Sequence, residues 1–413
     1  MKMGSLFDYQ HRSDASMDGP PEKGAKPSLG LAMIMKNEAV NLSRSLAPIA
    51  HLLDEMVVVD TGSSDQSRDL ALGLGARVLD FKWIDDFSAA RNFGLTAAAT
   101  DFIFWLDADN SISPEGVAEF RSQLSRGEEL ILWATEVVTP QGDRIWQKRV
   151  FPNRPDLVRF EGRVHEQLVH PPHWTSVATS VEICHWGYAE PLSARHKGER
   201  NLELLINSPE TKAGEFYWLY QTGRTLANLR RHEEAANWLS KAARAITDNH
   251  SLRGHTLILL SQSLTRLGRH QEAEAAARQL VENENGYGPG YYNLGRLLYD
   301  AGRLEEAGQL LEAALILGTG DRIWGADEKN CNYKAAFLLG RIWAAVGRKG
   351  PARQAFILAR DLDPKNPEPP FALAEVALAF GDKGEARGHL EQALRLAPGH
   401  RRARDMYCLL AGE

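Results

Sequence analysis

The stretch Asp101-Phe-Ile-Phe-Trp-Leu-Asp107-Ala-Asp109-Asn110 decides the fold. Phe102 to Leu106 is a continuous apolar run, with Phe102, Phe104 and Trp105 aromatic and Ile103 β-branched. Such a run suits a strand buried on both faces, as in a parallel sheet covered by helices. It stops at two aspartates separated by one small residue. If the strand continues through them, Asp107 and Asp109 point to the same side, because side chains alternate with a period of two. The carboxyl end of a buried strand is where open α/β sheets place their ligands. Two unpaired carboxylates there would raise each other's pKa, and a hard divalent cation such as Mg2+ or Mn2+ removes that cost. The alternative is a strand followed by an Asx-type turn, which Asp-x-Asp-Asn-Ser also makes.

The sequence upstream supports the first reading. Leu29 to Met35 is an apolar strand ending at Lys36-Asn37-Glu38, and helical spacing follows from Glu38 to Ala47. Glu55-Met-Val-Val-Val-Asp60 is a second strand, and Thr61-Gly62-Ser63-Ser64-Asp65 is a turn into a helix. Ala76 to Asp80 is a short third strand, Ser88 to Ala99 a helix, and the Asp101 stretch the fourth strand. Strands alternating with helices predict a mostly parallel sheet with helices on both faces. Asn37, Glu38, Asp60, Asp107 and Asp109 then share one sheet edge, where a nucleoside diphosphate fits. No G-x-G-x-x-G or Walker-type loop is present, so metal and carboxylates, rather than a phosphate on a helix N-terminus, are the implied solution.

Composition bounds the rest. The 413 residues suit two or three domains, and 43% hydrophobic with 25% charged residues is a globular balance. A formal net charge of −6 gives no support to nucleic-acid binding. Cys184, Cys331 and Cys408 form no metal or redox spacing and read as reduced thiols. No apolar run approaches a membrane span, and the first residues lack a signal-peptide core, so a cytoplasmic protein is expected. Residues 1–28 hold little to bury and read as a flexible tail.

Residues 29–200 resemble family-two glycosyltransferases of the GT-A fold. The matching pieces are MIMKNEAVNL (Met33–Leu42), VVVDTGSSDQS (Val57–Ser67), FSAARNFGL (Phe87–Leu95) and FIFWLDADN (Phe102–Asn110), in this order and spacing. FEGRVHEQL (Phe160–Leu168), HWGYAE (His185–Glu190) and RNLELL (Arg200–Leu205) are similar to the subgroup that carries tetratricopeptide repeats, which includes bacterial peptide glycosyltransferases modifying Cys or Ser. The resemblance implies that Asp60 contacts a uracil-like base, Arg91 the base or phosphates, Asp107 the ribose, and Asp109 the metal. The Gln-x-x-Arg-Trp signature of processive synthases is absent, which favours non-processive transfer.

On the acceptor side, Trp133–Thr139 and Gln147–Phe151 alternate as strands around the turn 140–143. An inverting transfer needs a general base for the acceptor, and Glu166 is the first candidate, with Glu161 second. His165 completes a metal shell or orients the base. His185 is a further candidate metal ligand, and Trp186 and Tyr188 are candidates for stacking on sugar.

From about Asn207 the chain repeats itself. RRHEEA, GRHQEA, GRLEEA, GRKGPA and GDKGEA start at 230, 268, 302, 347 and 381, at intervals of 38, 34, 45 and 34. The tetratricopeptide period is about 34 residues, and the longest interval implies an insertion around Gly318 to Lys329. Each unit reads as helix, Gly turn, helix, stacked into a solenoid, with Tyr217, Tyr220, Tyr291, Tyr292 and Asn293 mainly in repeat packing. The expected organisation is a tail (1–28), a nucleotide-sugar-binding α/β domain (29–206) and an all-α repeat domain (207–413). The expected activity is metal-dependent transfer from a nucleotide sugar, UDP-linked first, to a peptide or protein held by the repeats. A glycan or lipid-linked acceptor in envelope polysaccharide synthesis is the alternative, and a repeat-based interaction protein with a decayed transferase domain is another. Intact Asp60, Asp107 and Asp109 speak against the last. Homodimerisation is a second role open to the repeats.

Overall fold

A computed structural model describes residues 26–125, 128–137, 144–186, 191–207, 215–245, 252–284, 286–318 and 328–412. The expected tail lies outside the described residues except for 26–28, as do the turn at 140–143, Tyr188, and the core of the expected repeat insertion, 319–327.

The chain begins with β1 (Leu29–Met35), α1 (Ala39–Ser45), β2 (Glu55–Asp60), α2 (Ser67–Gly73), β3 (Arg77–Asp80), α3 (Phe87–Ala97) and β4 (Phe102–Trp105). Then come β5 (Asn110–Ile112), α4 (Pro114–Gln123), β6 (Leu130–Val137), β7 (Arg144–Pro152), β8 (Arg159–Glu161), β9 (Gln167–Val169) and β10 (Thr175–His185). One sheet has the order β3-β2-β1-β4-β7-β6-β10-β5, and β8 with β9 forms a separate hairpin. Pairings around β1 and β2 are parallel, as is β6 with β10, while β7 runs antiparallel to both its neighbours.

Apolar runs are buried on both faces, as the continuous hydrophobicity of β1, β2 and β4 requires. One face packs Leu31, Met33, Val58 and Phe104 against Leu42 of α1, Ala71 of α2 and Phe120 of α4. The other packs Ala32, Ile103 and Trp105 against Leu95 of α3 and Phe160 and Leu168 of the hairpin. Local capping sets the helix starts: Asp86 accepts from the Ala89 N–H at α3, and Ser113 accepts from the Gly116 N–H at α4.

The register positions the site. Met35 lies opposite Asp60, and Ala32 opposite Trp105, so β1 runs three residues beyond the end of β4. His185, the last residue of β10, pairs with Asn110. One expectation is corrected here. Asp107 and Asp109 do not continue the strand: β4 stops at Trp105, and the Asn110 N–H closes a turn on the Asp107 carbonyl at 2.9 Å. The period-two argument therefore does not govern these two side chains.

Helix α5 (Pro191–Ile206) leads into five helix pairs: α6 (Glu215–Asn228) with α7 (His232–Ala245), α8 (Arg253–Arg266) with α9 (His270–Asn283), α10 (Gly288–Asp300) with α11 (Leu304–Leu317), α12 (Glu328–Ala345) with α13 (Lys349–Leu362), and α14 (Glu368–Ala379) with α15 (Lys383–Leu396). Helix α16 (Arg401–Ala411) closes the described chain. The turn within every pair has a residue in the left-handed region: Gly268, Gly302, Gly347 and Gly381, with Arg230 in the first pair. The alanines five positions later, Ala235, Ala273, Ala307, Ala352 and Ala386, are fully buried, so the small side chain lets the helices of a pair approach. Among the described residues, no helix is long and apolar enough to cross a membrane.

Candidate functional site

The turns after β1 and β2 lock together at the sheet's carboxyl edge. Asp60 is buried, and its Oδ1 accepts from the N–H groups of Gly62 (3.1 Å) and Ser63 (2.8 Å). Asn37, with φ 56°, accepts from the Ser64 N–H at 2.7 Å and donates its own N–H to the Ser63 hydroxyl at 3.0 Å. Asn37 and Asp60 thus shape the turns as well as lining the edge. The Glu38 carboxylate accepts from Asn41 at 2.7 Å. Burial pushes the Glu38 pKa up, and the charges of Asp109 and Asp107 add to it. Both aspartates therefore act on the same patch, although each is held separately.

Asp107 meets two guanidiniums. Arg91 Nη2 donates to its Oδ1 at 2.6 Å, and Arg149 Nη1 lies 3.9 Å from its Oδ2. Burial alone would raise the Asp107 pKa, but Arg91 and Arg149 outweigh it and hold the carboxyl below the usual carboxylate range. Arg91 also donates through Nε to Glu166 Oε1 at 2.5 Å. Burial works against the Arg91 cation, and Asp107 and Glu166 overcome it, so its pKa is raised. Trp105 lies between the two arginines, with Arg91 4.5 Å and Arg149 4.0 Å from its ring centroid.

Asp109 is held elsewhere. Lys197 of α5 donates to its Oδ2 at 2.9 Å, and His185 Nδ1 lies 3.7 Å from its Oδ1. His185 Nδ1 is 2.7 Å from Asn110 Oδ1, which fits a proton on Nδ1 and a lone pair on Nε2, the form of imidazole that binds metals. Asn110 is fully buried, and among the described residues its Nδ2 has no hydrogen-bond partner. The residues fit a divalent cation in part: Asp109 and His185 give one oxygen and one nitrogen donor together. Among the described residues, no group of three or more His, Cys, Asp or Glu is placed to hold a metal. The remaining ligands would have to come from a diphosphate and water, as Mg2+ sites commonly arrange. Asp107, also expected to bind metal, has its carboxylate facing Arg91 and Arg149 here.

The acceptor-side candidates are spread over the β8–β9 hairpin. Glu161 is paired with Arg159 of its own strand at 2.5 Å. Glu166 points to Arg91 and so lies one side chain away from Asp107. His165, with φ 54°, turns instead toward α6, its Nε2 3.5 Å from the Thr225 hydroxyl. Burial, helped by the charge of Arg224, depresses His165 to about 3, so its ring is neutral. Trp186 donates to Ser111 and lies 4.3 Å from the Arg44 guanidinium, at the rim of the Asp109 patch.

Three contributors escaped the sequence reading. Arg149, fully buried inside β7, follows Arg144, Gln147 and Lys148 in the same strand, so nothing in the sequence marked it as the buried cation. Lys197 sits in an ordinary charged helix and carries no local signal. Tyr217, expected in repeat packing and found there, also bonds the β8–β9 hairpin: its hydroxyl donates to the His165 carbonyl at 3.0 Å and accepts from Gln167 at 2.5 Å.

Comparison with known proteins agrees with this architecture. A family model for glycosyl transferase family 2 matches residues 31–179, and one for the tetratricopeptide repeat matches 258–322. A TPR repeat-containing protein of Synechococcus elongatus is 31% identical over 68% of this chain and 73% of its own length. The SPbeta prophage-derived glycosyltransferase SunS of Bacillus subtilis is 27% identical, over 54% of each chain, so only about half of that relative is spanned. An uncharacterised glycosyltransferase of Rickettsia typhi is 22% identical over 61% of this chain and 90% of its own.

Proposed function

The chain is a family 2 glycosyltransferase with tetratricopeptide repeats, and on that premise we propose that it moves one sugar from a nucleoside-diphosphate sugar, UDP-linked first, to a side chain of a peptide or protein. The observation that carries this reading is Arg91, which joins Asp107 at the donor edge to Glu166 in the hairpin that the helical region contacts. Donor and acceptor groups thereby share one buried cation. Helical repeats against the acceptor hairpin favour a polypeptide over a lipid-linked acceptor.

In this reading, Asp60 and Asn37 present the turns that receive the base and ribose, and Asp107 faces the ribose. Bound at Asp109 and His185, Mn2+ or Mg2+ would neutralise the diphosphate. The acceptor oxygen or sulfur attacks the anomeric carbon on the face opposite the nucleotide. The bond to the diphosphate breaks, its electron pair leaves with the nucleotide, and the acceptor proton passes to Glu166. Arg91 occupies Glu166 Oε1, so the proton is taken at Oε2. Lys197, already beside Asp109, would add positive charge at the diphosphate. The isolated thiols favour a cytoplasmic setting.

The test is a panel of nucleotide sugars scored by released nucleotide, with chelator and then with added Mn2+ or Mg2+. Release from one donor, stopped by EDTA and restored by metal, is expected. Full release in the presence of chelator would remove the metal from the scheme, and no release from any UDP-sugar would overturn the donor assignment.

A further inference from the structure

The hairpin loop between β8 and β9 carries Glu166, and its backbone does not hold that shape unaided. Gly162 has φ 102° and His165 φ 54°. A left-handed residue other than glycine costs about 1–2 kcal/mol, so His165 needs restraint from outside the loop.

Two helices supply it. From α3, the Phe87 N–H donates to the Arg163 carbonyl at 2.8 Å, Ser88 Oγ donates to the Gly162 carbonyl at 2.5 Å, and Arg91 takes Glu166. From α6, the first helix of the repeat region, Tyr217 donates to the carbonyl of His165, the residue with positive φ. The same hydroxyl accepts from Gln167 at 2.5 Å and from Gln221 at 2.6 Å. A phenolic hydroxyl has one proton and two lone pairs, and all three are used. Val164 packs with Leu204, Leu205, Phe87 and Trp218 beneath the loop.

We propose that Tyr217 is a positioning residue for sugar transfer: its hydroxyl fixes the loop that presents Glu166, so the helical region completes the catalytic centre. This rests on the reading of Glu166 as the acceptor's base. The donor edge keeps contacts outside the loop, Arg149 of β7 at Asp107 and Lys197 of α5 at Asp109, and meets the loop only through Arg91 among the contacts named.

The test uses the full-length protein with Tyr217→Phe, Gln167→Leu, Tyr220→Phe and Glu166→Gln. Tyr220, three positions from Tyr217 on the same helix, bonds His255 at 2.6 Å, and its removal is the control for losing a buried hydroxyl. The probes are UDP for binding, and UDP-glucose with a synthetic Gly-Cys-Gly peptide for turnover. Tyr217→Phe and Gln167→Leu should lower kcat about tenfold or more while the UDP dissociation constant stays within about twofold, because displacing a reacting group by a fraction of an ångström is enough to slow transfer. Tyr220→Phe should leave kcat unchanged. Amide hydrogen exchange over 162–167, which needs no substrate, should accelerate about tenfold in Tyr217→Phe and not in Tyr220→Phe. Wild-type exchange in Tyr217→Phe, or equal effects of both tyrosine variants, overturns the proposal. Should Glu166→Gln transfer as fast as wild type while Tyr217→Phe exchanges faster and turns over more slowly, the base assignment fails and the restraint of the loop stands.

Discussion

Replacing Arg91 by Ala removes the cation that two carboxylates share, Glu166 at 11% exposed and Asp107 at 29%. Its Nη2 lies 2.6 Å from Asp107 and its Nε 2.5 Å from Glu166, with the arginine side chain 9% exposed. Asp107 retains Arg149 at 3.9 Å, so the loss falls mainly on Glu166, which is 11% exposed. Stranding one partner of a buried pair costs about 3–5 kcal/mol. That is large beside the whole stability of a domain. In urea, with a slope of about 1–3 kcal/mol per molar, the transition of the sheet domain should move down by about 1 M or more. Arg91→Lys keeps the charge but not the two-pronged geometry, and should lose about half as much, on the order of 2 kcal/mol. The pH dependence separates this from simple loss of packing. In the wild type, the Asp107 pKa is lowered by folding. Its contribution is therefore present above the ordinary unfolded Asp pKa and is lost as pH falls through the folded value. The share of that contribution that comes from Arg91 is lost with it, so the defect of Arg91→Ala should hold steady above the ordinary unfolded Asp pKa and shrink as pH falls through the folded value. A transition within about 0.5 kcal/mol of the wild type at pH 7, the scale of an unremarkable surface substitution, would refute the shared-cation argument.

Lys197→Met should lower the Mn2+ concentration giving half-maximal nucleotide release by about fivefold, since an ion pair worth about 1 kcal/mol no longer competes for Asp109; an unchanged value means Lys197 moves aside at no cost. Gly302→Ala should destabilise the helical region by about 1–2 kcal/mol, read from its own denaturation transition. The glycine has φ 77° and open space where a Cβ would stand, so the cost is purely conformational. Arg230→Gly, at the matching turn with φ 60°, should be neutral or slightly stabilising by the same measurement.

The elements closest to self-contained were legible from the sequence. Strands β1, β2 and β4 announce themselves because burial on both faces demands unbroken apolar runs, and the repeat turns do so because a left-handed residue selects glycine at four of five positions. The sheet edge followed, since strand ends and the Asp60 turn are local features, whereas the turn at Asp107–Asn110 replaced an expected strand continuation. Partnerships were not legible. Arg91 and Glu166 are separated by 75 residues and Lys197 and Asp109 by 88, and neither lysine nor glutamate carries a mark of its destination. The sequence by itself determined the buried strands, the polar residues at their carboxyl ends and the turns of the repeats. Only the tertiary structure decided that Asp107 answers to two arginines, that Asp109 faces Lys197 and His185, and that Tyr217 of α6 hydrogen-bonds the β8–β9 hairpin. Hydrophobic periodicity specifies faces along a chain, whereas ion pairs and side-chain hydrogen bonds depend on distances that exist only after those faces have packed.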